Sequence, residues 1–186
     1  MDQDRPWADR NVAVAPRALI VDANRNAINV LARRIADAGF RVAAADGAHS
    51  AMAEIHRVRP DLVLSELRLE RASGVELVRM IREDAANCDL PLIMIGGRLD
   101  AGAAVRALRA GADDAVRKPF DFDVLIARIG RQLARARALR ELRAANAALD
   151  ARVVTRAIEL GEVRNRLVSV EAERRALQSL VRARAA

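Results

Sequence analysis

The 186-residue chain has one cysteine, one tryptophan, three phenylalanines and no tyrosine. Cys88, being alone, excludes an internal disulfide and fits a reducing cytoplasm. No apolar run reaches the roughly 18 residues a spanning helix needs, so no membrane segment is expected. The N-terminus, Met1-Asp2-Gln3-Asp4-Arg5-Pro6-Trp7, is charged and lacks an apolar signal core, so export is not expected either. Lysine occurs once, at Lys118; every other positive side chain apart from histidine is arginine.

The chain is instead rich in alanine and arginine. Hydrophobic residues make up 52% of it, enough for a core, although aromatics contribute only 2%. The formal charge is +7, and from Phe120 onward 14 arginines stand against 8 acids, so most of the excess lies in the C-terminal third. Such a field attracts nucleic acid, acidic proteins or an anionic membrane face, but it equally describes a solvated arginine-rich helix.

Residues 1–16 contain Pro6 and Pro16, show no periodicity, and read as a mobile arm. From Arg17 to about Phe120, five short runs alternate with amphipathic stretches. The runs are Ala18–Val21, Phe40–Ala43, Leu62–Leu64, Leu92–Ile95 and Asp114–Arg117. Between them lie the helical spacings Ile28/Leu31/Ile35, Met52/Ile55, Val75/Val78/Ile81 and Val105/Leu108. Short apolar runs suit strands buried on both faces, and their alternation with helices predicts right-handed crossovers and a doubly wound parallel sheet. Gly39, Gly74 and Gly111 fall at expected helix ends or loops. In such sheets function gathers at the carboxyl ends of the strands. Those ends read Asp22-Ala23, Glu66, Gly96-Gly97 and Lys118-Pro119.

Several segments together resemble the receiver domain of two-component response regulators. They are Leu19-Ile20-Val21-Asp22, Pro60-Asp61-Leu62-Val63-Leu64, Arg68-Leu69 with Gly74 and Val75-Glu76-Leu77, Leu90–Met94, and Gly111–Phe120. They occur in order across residues 17–134. The resemblance implies a flavodoxin-like (βα)5 fold and a place in bacterial two-component signalling.

The resemblance also implies a phosphorylation site, and this sequence departs from it at four positions. The second acid expected after the first strand is Ala23, leaving Asp22 alone. The phosphoacceptor aspartate is Glu66. The hydroxyl residue after the fourth strand is Gly96, and the aromatic residue of the fifth strand is Ala115. Only Lys118 is kept. Losing a carboxylate at position 23 removes a hard oxygen ligand from a Mg²⁺ site, so no cofactor is expected. The extra methylene of Glu66 misplaces a nucleophile that must be positioned to about an ångström. Phosphorylation at Glu66 is therefore not expected, and no catalytic residue is assigned. Glu66 bonded to Lys118 could imitate a phosphoryl group and hold one state, or the pair could simply neutralise leftover charges. His49 and His56 have no paired base or ligand spacing in the sequence, and Met52, Met80 and Met94 read as core filler.

The fifth helix should start near Asp121 or Phe122 and pack Val124, Leu125 and Ile129 on the sheet. No stop signal follows: between Leu133 and Ala186 there is no proline and only Gly161. A seven-residue repeat takes over across 135–186. Its a sites are Leu139, Asn146, Val153, Leu160, Leu167, Arg174 and Val181; its d sites are Leu142, Leu149, Arg156, Val163, Val170 and Leu177. Ten of these 13 sites are apolar, which predicts a coiled coil, and Asn146 at an a site suits a parallel dimer in fixed register. A continuous helix would be roughly 90 Å long at 1.5 Å per residue. A break at Gly161, folding the tail into a hairpin, is the alternative. The stretch Leu142–Val153 resembles the signalling helices that join receivers to output domains such as diguanylate cyclases and histidine kinases.

The sequence thus predicts a non-enzymatic, cytoplasmic pseudo-receiver that dimerises through its C-terminal helix. It would act as a phosphorylation-independent adaptor or scaffold, with a histidine kinase or another response regulator as partner. The alternative is the regulatory part of a receiver-linked output enzyme whose catalytic domain lies beyond Ala186. Nucleic acid is not the expected partner, because the arginines alternate with acids and no recognition motif appears.

Overall fold

In the computed structural model, residues 15–69, 73–97 and 101–184 are described; residues 1–14 of the expected arm lie outside them. Ten elements alternate: β1 Arg17–Val21, α1 Arg25–Asp37, β2 Arg41–Ala45, α2 Ala48–Val58, β3 Leu62–Glu66, α3 Gly74–Glu83, β4 Leu92–Gly96, α4 Ala101–Arg109, β5 Asp114–Arg117 and α5 Phe122–Arg184. The five strands form one parallel sheet in the order β2-β1-β3-β4-β5. The reversal of strand order at β1/β3 leaves a crevice above their carboxyl ends.

Each face of the sheet is covered, which is why the strands read as near-continuous apolar runs. One core joins Leu19, Val63, Leu92 and Met94 to Ile55 of α2, Leu77 and Ile81 of α3, and Ala107 of α4. The other joins Ile20, Leu64, Ile93 and Ile95 to Ile35 of α1 and Leu125, Ile129 and Leu133 of α5. Alternate residues along each strand feed opposite cores, as the period of two requires. Two helical expectations need correction. Val124 is exposed and Leu133 takes its place against the sheet, because the buried stripe follows the spacing 125, 129, 133. On α4, Ala103 and Ala107 are buried while Val105 and Leu108 face outward.

Polar tethers fix the ends of these elements. Asn24 caps α1 by accepting N–H bonds from Asn26 and Ala27 at 2.9 and 3.2 Å. Gly111 follows α4 with φ +108°, a conformation that suits glycine. Arg82 on α3 holds three carbonyls and a carboxylate: it donates to Gly111, Cys88 and Leu90 oxygens at 2.8, 3.0 and 2.8 Å and to Asp113 Oδ2 at 2.8 Å. That single side chain ties α3 to the segments entering β4 and β5.

The chain divides into two compact units, Met1–Ala138 and Leu139–Ala186. In the second, α5 passes through Gly161 without interruption, so the alternative of a hairpin broken there is not what forms. Leu142, Leu149, Val153, Leu160, Val163, Leu167, Val170 and Leu177 are each at least 55% exposed, and Leu139 is 38% exposed. Asn146, Arg156 and Arg174 are exposed on the same repeat, and the Val181 side chain lies outside the described residues. No helix among the described residues is long and apolar enough to cross a membrane.

Candidate functional site

Three strand ends bring three charged side chains to one point. Asp22 follows β1, Glu66 closes β3, and Lys118 follows β5. The Lys118 backbone N–H donates to the Gly96 carbonyl at 2.8 Å, which fixes the turn after β5 against the end of β4. From there its ammonium donates to Glu66 Oε2 at 2.5 Å and lies 3.6 Å from Asp22 Oδ2. Both acids are 13% exposed and the lysine 35%, so the group is partly shielded from water.

The other oxygen of Glu66 is occupied as well. Oε1 accepts the backbone N–H of Leu67 at 2.9 Å and approaches that of Arg68 at 3.5 Å. Asp22 Oδ1 accepts the Asn24 N–H at 2.9 Å. Glu66 therefore has an ammonium on one oxygen and main-chain donors on the other, which is how a fixed anion is stabilised. Nothing in the sequence flags the amides of Leu67 and Arg68, because every residue type but proline carries one.

Gly74 makes this geometry possible. A Cβ there would meet the Glu66 carbonyl oxygen at 2.5 Å, Leu67 Cα at 3.1 Å, and the Met94 methyl. The absent side chain lets α3 start hard against the end of β3, with Gly74 N–H donating to the Leu67 carbonyl at 2.9 Å.

The remaining positions singled out in the sequence sit around this centre without adding polar groups. Gly96 ends β4 beside Glu66 and offers no hydroxyl. Ala23 lies in the loop next to Asp22, and Ala115 is half-buried against the core of α2, α3 and α4, with no ring to reorient. A cavity of about 460 Å³ opens beside the charged trio and is walled by Ala27, Val30 and Leu31 of α1 and by Phe120 and Phe122.

The residue set does not suit a hexacoordinate hard cation. Such an ion wants several free oxygen ligands. Glu66 already accepts from Lys118 and the backbone, and Asp22 accepts the Asn24 N–H and faces the same ammonium. No group of three or more metal-ligating side chains occurs among the described residues.

Residues 18–130 match the response regulator receiver domain family. The chain belongs to that family. The DNA-binding response regulator MtrA of Mycolicibacterium smegmatis is 33% identical over 119 residues, covering 64% of this chain and 51% of that protein. The solved structure of NtrX from Brucella abortus aligns with TM-score 0.64 and 33% identity, covering 69% of this chain and 30% of that one. A putative response regulator from Chloroflexus aurantiacus aligns with TM-score 0.63 and 27% identity, covering 65% of this chain and 99% of that one. The receiver spans about half the length of the curated relatives it matches. Those relatives are named as response or transcriptional regulators.

One reading of the receiver sequence needs correcting. His56 does have a partner: its Nε2 lies 2.7 Å from Asp84 Oδ2. The two residues are 28 apart and meet only because α2 packs on α3. Asp84 also accepts from Asn87 Nδ2 and the Ala86 N–H at 2.8 and 3.0 Å. Those bonds, Asn87 first and His56 next, hold the Asp84 carboxyl below its ordinary value. The pair is exposed on the α2–α3 surface, away from the trio at the strand ends.

Proposed function

We propose that this receiver signals without being phosphorylated and serves as a dimeric, non-enzymatic adaptor or scaffold in cytoplasmic two-component signalling. The observation carrying this reading is the occupation of Glu66: the lysine and main-chain donors that would hold a transferred phosphoryl group already hold its carboxylate. With Ala23, Gly96 and Ala115 around it, the site lacks a second acid for Mg²⁺, a hydroxyl to follow a phosphoryl oxygen, and an aromatic relay. The receiver is then fixed in one state by its own side chain, and no cofactor is needed.

Dimerisation through the second unit is the other half of the proposal. The exposed a and d side chains of α5 gain burial only against a second helix. In a parallel, in-register pair, Glu159 at g faces Arg164 at e of the second copy, and Arg166 at g faces Glu171 at e. No like-charged e/g pair arises at any heptad from Leu139 to Gln178. Arg156, the charged residue at a d site, donates to Glu159 at 3.1 Å. A histidine kinase or another response regulator would meet the receiver at α4 and α5, where Val105, Leu108 and Val124 are exposed. Nucleic acid is not part of the proposal, since acids are interspersed among the arginines of α5 and no recognition motif appears.

A second reading is favoured by the partial coverage of the relatives: the receiver and its helix would be the regulatory portion of a longer output protein. The test of the main reading treats the full chain with a small-molecule phosphodonor and Mg²⁺ and measures intact mass, alongside light scattering behind size exclusion. Unchanged mass and twice the chain mass in solution are expected. A stable phosphoryl adduct on Glu66 would overturn phosphorylation independence, and a monomer would overturn the scaffold.

A further inference from the structure

The cavity of about 460 Å³ beside the charged trio combines an apolar body with a polar end. Every residue that lines it lies among the described residues, on β1, α1, β3, β4 and the segment from β5 into α5. The chain has three phenylalanines, one tryptophan and no tyrosine, and two of the phenylalanines wall this one hollow. Phe120 and Phe122 meet edge to face with centroids 5.2 Å apart. The Arg34 guanidinium lies 4.6 Å from the Phe122 centroid, which sets the orientation of that ring. From α1 come the small Ala27 and Val30, a valine left 61% exposed. A bound apolar body would cover that surface.

At the polar end the charges do not balance. Asp22 and Glu66 bring two carboxylates against the single ammonium of Lys118. That ammonium is bonded to Glu66 at 2.5 Å and stays 3.6 Å from Asp22 Oδ2, beyond a hydrogen bond. Asp22 Oδ1 takes the Asn24 N–H, and among the described residues Oδ2 accepts no hydrogen bond. The Asp22 side chain is 13% exposed, so bulk water reaches that oxygen poorly. The first amides of α1, which would favour an anion, are already taken by Asn24.

We infer that this cavity binds a small amphipathic amine, its flat apolar body against α1 and the two phenylalanines and its ammonium directed at Asp22. An ammonium donates a charge-assisted hydrogen bond to the free oxygen and brings the charge of the group to zero. An anionic head would instead meet two carboxylates and a lysine that is already engaged. The volume lies within the roughly 300–1,000 Å³ of ligand pockets, whose usual make-up is a few polar groups around an apolar lining. The inference rests on the reading that Glu66 stays unphosphorylated, since a phosphoryl group there would claim Lys118 and add negative charge. It gives a receiver with an occupied acceptor a small-molecule input in place of a kinase.

The test is calorimetry on the full chain with three probes that share one ring: tryptamine, neutral 3-methylindole and indole-3-acetate. Intact mass is measured first, so a phosphoryl adduct, which would sink the reading of Glu66, is seen apart from any result on binding. One saturable tryptamine site per chain is expected, with the neutral probe about tenfold weaker and the anionic probe weaker still. Asp22→Asn should reduce tryptamine to the level of 3-methylindole and leave 3-methylindole unchanged. Ala27→Phe, which fills the hollow, should abolish binding of all three. Val168→Ser, at another exposed valine that does not line it, should change none. Circular dichroism checks that each variant folds. No saturable tryptamine binding at millimolar probe by the unmodified chain would overturn the inference. So would affinity that does not favour tryptamine over both other probes, or an equal loss of charged and neutral probes in Asp22→Asn. Tryptamine binding that appears only when the chain starts at Ala15 would overturn it too, since residues 1–14 would then be the occupant.

Discussion

Lys118 and Glu66, 52 residues apart, are joined by a 2.5 Å bond from ammonium to carboxylate, and the same ammonium lies 3.6 Å from Asp22. The lysine links three strand ends in a chain that otherwise uses arginine. A compact ammonium on a flexible stem can serve two carboxylates at once, where a planar fork would commit to one. Removing it by Lys118→Met should lower stability by about 1 kcal/mol, discounted for the lysine's partial exposure. Glu66→Asp should shorten the reach, break the lysine bond, and still gain no phosphoryl group from a phosphodonor. Urea unfolding and intact mass measure the two outcomes, and efficient phosphorylation of Glu66→Asp would show that the acceptor alone had been missing.

The register of the C-terminal helix can be tested at Asn146. In a parallel, in-register pair Asn146 faces its own copy, so Asn146→Cys should form an interchain disulfide in mild oxidant. Cys88 must be replaced by serine in the same chain for a clean reading. Asn146→Leu should raise thermal stability while loosening the choice of oligomer, since a buried asparagine gives up stability for register. Failure of the cysteine to cross-link in a protein that is dimeric by light scattering would point to an antiparallel arrangement.

Gly74→Ala should destabilise the receiver unit by about 1–3 kcal/mol, because the new methyl meets main-chain atoms of Glu66 and Leu67 that cannot step aside cheaply. The same substitution at Gly47, whose Cβ direction is open, should cost far less. Chemical denaturation of the two variants side by side separates a steric cause from a general intolerance of loop alanines.

Acid stability should depend on Asp84. Its carboxyl is held below its ordinary value of 3.8 by Asn87, His56 and the Ala86 N–H, in that order. A depressed folded-state value contributes stability that is present above the unfolded value and is lost as pH falls through the folded one. Asp84→Ala should therefore narrow the gap to wild type below about pH 4 and leave it constant above. A gap that persists unchanged to the lowest pH would mean that the charge of Asp84 does not matter.

Much of this protein was legible before any coordinates. Local periodicity named five strands and five helices because a strand buried on both faces cannot avoid being apolar, and an amphipathic helix cannot hide its spacing. Strand ends in a doubly wound sheet converge by topology, so Asp22, Glu66 and Lys118 could be grouped from order alone. The heptads of α5 were equally visible, since they are a local repeat.

What the sequence did not carry were relationships with no local period. Val124 and Leu133 exchanged roles because the face that α5 buries is set by where the sheet lies. His56 found Asp84, and Arg82 found Asp113 and three carbonyls, only through packing between elements. The amides of Leu67 and Arg68 became anion donors through the bend after β3, which Gly74 permits. The sequence by itself determined the fold and the apolar repeat of the last helix, because these are patterns of residue type along the chain. The tertiary structure alone decided which oxygen of Glu66 meets which donor, and which carbonyls and carboxylate Arg82 reaches. Those are distances between segments far apart in sequence, and no spacing along the chain encodes them.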